Sequence, residues 1–233
     1  MIVISTDRHG GISEAPYRSM NLSYGVGDTD RSVSENREIV KRKHSIPYLL
    51  SARQVHGDAV FVLEGALTKD FEVDGFDALI TDQKDVGLLI QQADCQAITL
   101  FDPEHPAIAA IHSGWQGSVR NIAAKTVALL TEHFSSSPSR LQAYISPSLG
   151  PCCAEFINHA LELPSSFLPF EETKNHFNFW KISSMQLLES GLLEENIQIS
   201  TICTSCSSDY FSYRRARRNG DGITGRCATV ISL

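Results

Sequence analysis

Short, β-branched apolar runs separated by turn residues constrain this chain more than any other feature. They fall at residues 2–5, 59–63, 78–81, 86–90, 97–101, 107–111, 142–145, 197–203 and 229–233, each with the length and composition of a strand. Three helical patterns stand against them. Ser32 with Glu35 three residues on has the form of a capping box and opens a helix to about residue 43. Val119, Ile122, Ala123, Val127, Leu130 and Phe134 keep helical spacing. A third pattern covers residues 182–190, with Gly191 as its stop. Many strands, few helices and very short loops predict an α+β fold with mixed, largely antiparallel sheets and flanking helices. The 233 residues carry no fixed-period repeat and no loop richer than the five residues 135–139. The whole chain, 1–233, therefore reads as a single domain.

Composition narrows the functional classes. Hydrophobic residues make up 42% of the chain, enough to bury a sizeable core without covalent staples. The net charge of −7 argues against nucleic acid as a partner, because neutralising phosphates needs an excess of cations. No apolar run approaches the 18 or so residues that cross a bilayer, and no basic region precedes an apolar stretch at the start. Six cysteines in 233 residues are far too few for a disulfide framework, so a cytoplasmic protein with reduced thiols is expected.

Three segments carry metal-competent side chains at strand ends: Gln54-Val-His56-Gly57, Ala93-Asp94-Cys95-Gln96 and His112-Ser-Gly-Trp115-Gln-Gly117. One thiolate and two imidazoles make a three-ligand zinc set with an open fourth position, the pattern of a catalytic site. Spacing alone leaves a second reading open, a buried cysteine and two hydrogen-bonded histidines. The separations of 39 and 17 residues match no local zinc motif.

The order of the short motifs says more. Gly10-Gly-Ile-Ser13, Ser19-Met-Asn-Leu22, Val26-Gly-Asp28, Gln54-Val-His-Gly57, Asp77-Ala-Leu-Ile-Thr81, Ala93-Asp-Cys95, His112-Ser-Gly-Trp-Gln-Gly117, Gly150-Pro-Cys-Cys153, Phe211-Ser-Tyr-Arg-Arg215 and Thr224-Gly-Arg226 run through essentially the whole chain. In this order they resemble the laccase-domain family, also called polyphenol-oxidase-like or purine nucleoside phosphorylase proteins. The resemblance implies that His56, Cys95 and His112 hold zinc. It also implies phosphorolysis of adenosine, inosine and methylthioadenosine to base plus ribose 1-phosphate, together with adenosine deamination. Two departures stand out: Gln96-Ala97 where Leu-Pro is usual, and Ser113 for the usual Ala. The family is also grouped with cysteine-hydrolase-like domains. That keeps a second activity open, a Cys95/His112 amide hydrolase acting on a cell-wall precursor.

Copper chemistry is ranked below zinc. A multicopper oxidase needs His-x-His pairs, and the histidines at 9, 44, 56, 105, 112, 133, 159 and 176 include none. Phosphorolysis instead needs an anion site and a way to polarise the leaving purine. The loop at 113–117 opens onto a helix N-terminus, where free amides favour an anion. Arg214, Arg215 and Arg226 are the candidate guanidinium forks for phosphate, while Arg217 and Arg218 read as a solvated charged loop. Asp94, beside the Cys95 ligand, is the candidate proton acceptor for deamination. Trp115 is either core filler or a wall over the base. Cys203-x-x-Cys206 has no second such pair, and the neighbouring Cys152 and Cys153 are not expected to converge on one ion. Partners are therefore a nucleoside and phosphate, with neither nucleic acid nor membrane. A homodimer is the base-rate expectation for a soluble enzyme.

Overall fold

The computed structural model describes Met1–Leu233, all of the chain. In order, the first half runs β1 (Ile2–Ser5), α1 (Asp30–His44), β2 (Tyr48–Arg53), β3 (Val60–Val62), β4 (Phe71–Asp74), β5 (Ala78–Thr81), β6 (Val86–Gln92), β7 (Gln96–Asp102) and β8 (Ala107–Ser113). The second half runs α2 (Trp115–Val119), α3 (Ile122–Phe134), β9 (Gln142–Ile145), α4 (His159–Glu162), β10 (Glu171–Thr173), β11 (His176–Phe177), α5 (Phe179–Glu189), β12 (Ile197–Ile199), α6 (Tyr213–Asn219) and β13 (Cys227–Ser232).

Two mixed sheets result, as the sequence predicted. One has the order β1-β13-β6-β2-β4, the other β12-β9-β7-β8-β5-β3, and β10 and β11 form a small separate hairpin. The central strands are apolar on both faces because both faces are buried. Leu88 and Ile90 of β6 pack with Leu79, Ile108 and Ala110 between the sheets. The intervening Leu89 turns outward to Val40 of α1 and Met20. On the second sheet Ala109 and Ile111 of β8 meet Ile122, Val127 and Leu130 of α3 and Leu187 of α5. The layers are therefore helix, sheet, sheet, helix.

From β2 to β7 the chain alternates between the sheets at every step. Three of these crossings, β2 to β3, β4 to β5 and β6 to β7, run from the first sheet to the second. Those three crossings carry His56, Asp77 and Cys95.

Several local expectations are corrected. The N-cap of α1 is Thr29, whose side chain accepts from the Ser32 amide, so Ser32 and Glu35 lie inside the helix. The helical pattern from Val119 is broken. Val119 ends α2 and is exposed, and Asn121 at φ 53° caps α3 by accepting from the Ala124 amide. The strand expected over 197–203 stops at Ile199. Arg217 and Arg218 lie on α6 rather than in a loop. No helix is long and apolar enough to cross a membrane.

Candidate metal centre

His56, Cys95 and His112 converge, with one ligand atom of each within 4.8 Å of the others. The Cys95 Sγ lies 3.9 Å from His56 Nε2, and the two imidazoles stand edge to face with centroids 4.7 Å apart. His112 is buried at the end of β8, while His56 is exposed. His112 Nδ1 pairs with Asp77 Oδ1 at 2.8 Å, which leaves Nε2 as its ligand atom. A carboxylate behind a ligating histidine is the usual outer support of a metal site.

Asp77 also builds the neighbouring loop. Its carboxylate accepts from the amides of Val55 (3.2 Å), His56 (2.9 Å) and Gly57 (2.7 Å). These bonds hold His56 in the left-handed region, at φ 58°. Gly114 lets the ligands approach closely, because a Cβ there would stand 3.1 Å from both Cys95 Sγ and His56 Cδ2 and would press on both.

Charge at the centre suits a cation. Burial resists ionisation of Cys95, but His112 and His56 outweigh it and hold the thiol at about 6. Burial likewise resists the His112 imidazolium, yet the Cys95 thiolate and Asp77 raise it to about 9. Asp77 is desolvated too, and its bonds to His112, Gly57 and Val55 keep it below the usual carboxylate range. A metal entering here meets a thiolate already formed and displaces one proton, from His112. The donor set fits a zinc ion.

Two lobes of a cleft meet at Cys95, His56, Ala93 and Tyr213. The larger, about 660 Å³, is lined by His112, Gln54, Gln91, Glu72 and Arg226. The smaller, about 270 Å³, has walls of Trp115, Leu149, Phe156 and Phe179, with Gln96, Asp94 and Arg214 at its edge. Trp115 is both wall and filler, since it also packs edge to face on Phe156.

The candidate arginines separate. Arg226 reaches the larger lobe, with its Nη1 donating to the carbonyls of Thr224 and Gly225. Arg214 lines the smaller lobe, both terminal nitrogens donating to the Glu155 carbonyl. Arg215 lines neither lobe; its guanidinium is taken by the carbonyls of Thr204, Ser205, Ser207 and Tyr210. Asp94, at φ 91°, accepts from the Thr204 hydroxyl at 2.7 Å and from the Arg214 amide at 2.6 Å. Both of its oxygens are thus engaged in holding the turn. The helix N-terminus expected to bind an anion belongs to the five-residue α2, so the longer α3 dipole is not the one facing the loop.

Asp77 is the functional residue that sequence reasoning missed. It opens a motif, but its four partners lie 20 to 35 residues away, and no local signal marks them. Four of the five remaining cysteines also depart from expectation. Cys152, Cys153, Cys203 and Cys206 bring their sulfurs within 4.8 Å of one another, because the tight turn at Gly150 and the adjacent loop face each other.

The chain is 32% identical over 244 residues to purine nucleoside phosphorylase YlmD of Geobacillus stearothermophilus, covering 97% of this chain and 88% of that protein. It is 32% identical over 229 residues to a purine nucleoside phosphorylase of Bacteroides thetaiotaomicron, covering 90% and 84%. The crystal structure of YlmD from Geobacillus stearothermophilus superposes with a TM-score of 0.88 at 30% identity, covering 99% of this chain and 91% of that one. A family model described as multi-copper polyphenol oxidoreductase laccase matches residues 2–233. This chain belongs to that family.

Proposed function

We propose that the protein is a zinc-dependent purine nucleoside phosphorylase that converts adenosine, inosine and methylthioadenosine to free base and ribose 1-phosphate, with adenosine deamination at the same centre. The observation that carries this reading is the His56–Cys95–His112 triad at the junction of two lobes of different character. The relatives named as purine nucleoside phosphorylases support it. The larger lobe lies within the roughly 300–1,000 Å³ typical of small-molecule pockets. Six free cysteines favour the cytoplasm as its compartment.

Each lobe has a task. Arg226 offers a guanidinium to phosphate oxygens in the larger lobe. The aromatic walls of the smaller lobe, Trp115, Phe156 and Phe179, suit the flat face of a purine. Phosphate adds to the ribosyl carbon as the bond to the purine nitrogen breaks, and the base leaves with that electron pair and takes up a proton. His56, Cys95 and His112 would hold the zinc ion, which when bound would act as a Lewis acid able to polarise a bound group or activate water. Asp77 fixes the His112 ring, and Asp94 fixes the turn that presents Cys95. The engagement of both Asp94 oxygens favours that positioning role over proton acceptance in deamination. Arg214 and Arg215 likewise support the fold of the wall, leaving Arg226 as the phosphate ligand.

Zinc rather than copper suits this function, since the two metal-competent clusters of the chain contain only two histidines between them. Two imidazoles are fewer than a trinuclear copper centre would need, which favours zinc.

Incubating the protein with inosine, with and without phosphate, tests the reading. Base and ribose 1-phosphate should appear only with phosphate, and Cys95→Ala should abolish both. Arg226→Ala should raise the KM for phosphate about tenfold or more, the worth of one charge-assisted bond. Release of base without phosphate overturns phosphorolysis. Turnover by metal-free protein that is lost on Cys95→Ser would make the centre a Cys/His hydrolase.

A further inference from the structure

Four of the five cysteines outside the triad, all but Cys227 of β13, come from two loops that leave the second sheet side by side. The loops follow the parallel neighbours β9 and β12. They stay in register through Ser148, whose amide donates to the Ile202 carbonyl at 3.1 Å and whose carbonyl accepts from the Thr204 amide at 3.0 Å. The first loop then turns at Gly150, closed by bonds from the amides of Cys153 (2.9 Å) and Ala154 (3.0 Å) to the Gly150 carbonyl. The second turns through Cys203-x-x-Cys206, closed by bonds from the amides of Cys206 (3.2 Å) and Ser207 (3.0 Å) to the Cys203 carbonyl. The loops touch at Gly150, where a Cβ would stand 3.0 Å from Cys203 Cβ and 2.8 Å from the Trp180 ring. That close approach sets the thiols face to face.

The spacing of the sulfurs is that of ligands around one ion. The Cys206 Sγ lies 3.5 Å from that of Cys152 and 3.6 Å from that of Cys153, and all four sulfurs fall within 4.8 Å. A tetrahedron with zinc–sulfur bonds of about 2.3 Å has edges of about 3.8 Å. A cluster of several irons would hold its thiolates further apart. The Arg218 Nη1 stands 3.9 Å from Cys153 Sγ, a cation beside sulfurs that would carry a net double negative charge around a divalent metal.

We propose that Cys152, Cys153, Cys203 and Cys206 form a second, structural metal site, a four-thiolate tetrahedron that holds one zinc ion and ties these two loops together. Binding forms four zinc–sulfur bonds and releases four thiol protons to solvent. Both loops reach the candidate active centre through Asp94. The Leu149 amide donates to its carbonyl at 2.8 Å, and the Thr204 hydroxyl donates to its carboxylate at 2.7 Å. The clamped loops therefore brace the turn that presents Cys95. The site does not depend on the metal assignment of the triad.

Metal analysis combined with thiol mapping tests this. Protein purified without chelator should hold two zinc ions per chain. Cys203→Ser with Cys206→Ser should lose one of them, and Cys95→Ala the other. In wild-type protein, which removes any dependence on how the variants fold, alkylation followed by peptide mass mapping should find these four thiols protected until a chelator is added. Loading with cobalt should give thiolate charge-transfer absorption that survives Cys95→Ala and falls in the double serine variant. If only the triad assignment is wrong, one zinc remains that is insensitive to Cys95→Ala and lost in the double serine variant. Four thiols alkylated at full rate in untreated protein, a disulfide between Cys152 and Cys206, or iron in place of zinc would each overturn the proposal.

Discussion

Asp77 binds no metal in the arrangement described, yet four groups of the centre hang on its carboxylate. It orients His112 and pins three consecutive amides of the loop that carries His56. Asp77→Asn keeps the shape but replaces one acceptor oxygen with a donor. Zinc affinity should fall about 10- to 100-fold, as for other outer-shell partners of metal-bound histidines, measured by competition with a chromogenic chelator. Unchanged affinity would mean the carboxylate serves the loop alone. Cys95 gives a second residue-scale expectation, in chelator-treated protein. Its folded value near 6 is depressed below the ordinary thiol value of about 8.5. Thiolate stabilisation is therefore present above that ordinary value and is lost as pH falls through about 6. Alkylation of Cys95, followed on its own peptide, should show a midpoint near pH 6, rising toward the ordinary thiol value in His112→Ala. A midpoint of 8.5 in the parent protein would remove the ion pair. The ligands themselves were legible only through the order of motifs, since separations of 39 and 17 residues say nothing locally. Asp77 and the four-cysteine cluster were not legible, because both depend on which loops the sheets set side by side.

Elements were legible where burial makes the pattern plain. β6, β7 and β8 are apolar on both faces and were found in sequence close to their observed bounds. β2 and β4 were missed because Ser51, Arg53 and Glu72 interrupt their apolar character. The interruption has a purpose that only the fold reveals. Arg37 of α1 reaches across to donate to Ser51 Oγ at 3.1 Å and to Glu72 Oε2 at 2.9 Å, and Ser51 donates to the same oxygen at 2.8 Å. α6 was missed because seven residues rich in arginine carry no apolar period. At α1 the error concerned the cap, and a pair of substitutions separates the two versions. Thr29→Ala removes the acceptor of the Ser32 amide and should cost about 1 kcal/mol. Glu35→Ala removes only an exposed pair with Arg42 and should cost about 0–1 kcal/mol, at the low end. Urea midpoints measure both. A larger loss at Glu35 would restore the capping box.

At the scale of the whole molecule, the candidate centre sits outside the three main apolar clusters. Its ligands stand on two of the crossings between the sheets and at the C-terminal end of β8, while the packing that defines the fold lies between the sheets and beneath the helices. The metal should therefore add stability by mass action without being needed for folding, unlike a zinc finger. With free zinc at about 100 to 1,000 times its Kd, binding to the folded state alone is worth about 2.7–4.1 kcal/mol. For a chain of this length each kcal/mol moves Tm by about 2–4 °C. Cys95→Ala, compared with the parent in that zinc buffer, should melt about 5–15 °C lower. It should keep one cooperative transition and a parent-like near-ultraviolet circular dichroism spectrum, because no strand register or core contact uses the Cys95 sulfur. Collapse of the near-ultraviolet signal at low temperature would show that the three crossings need the ion to stay in place, and the triad would then be part of the scaffold.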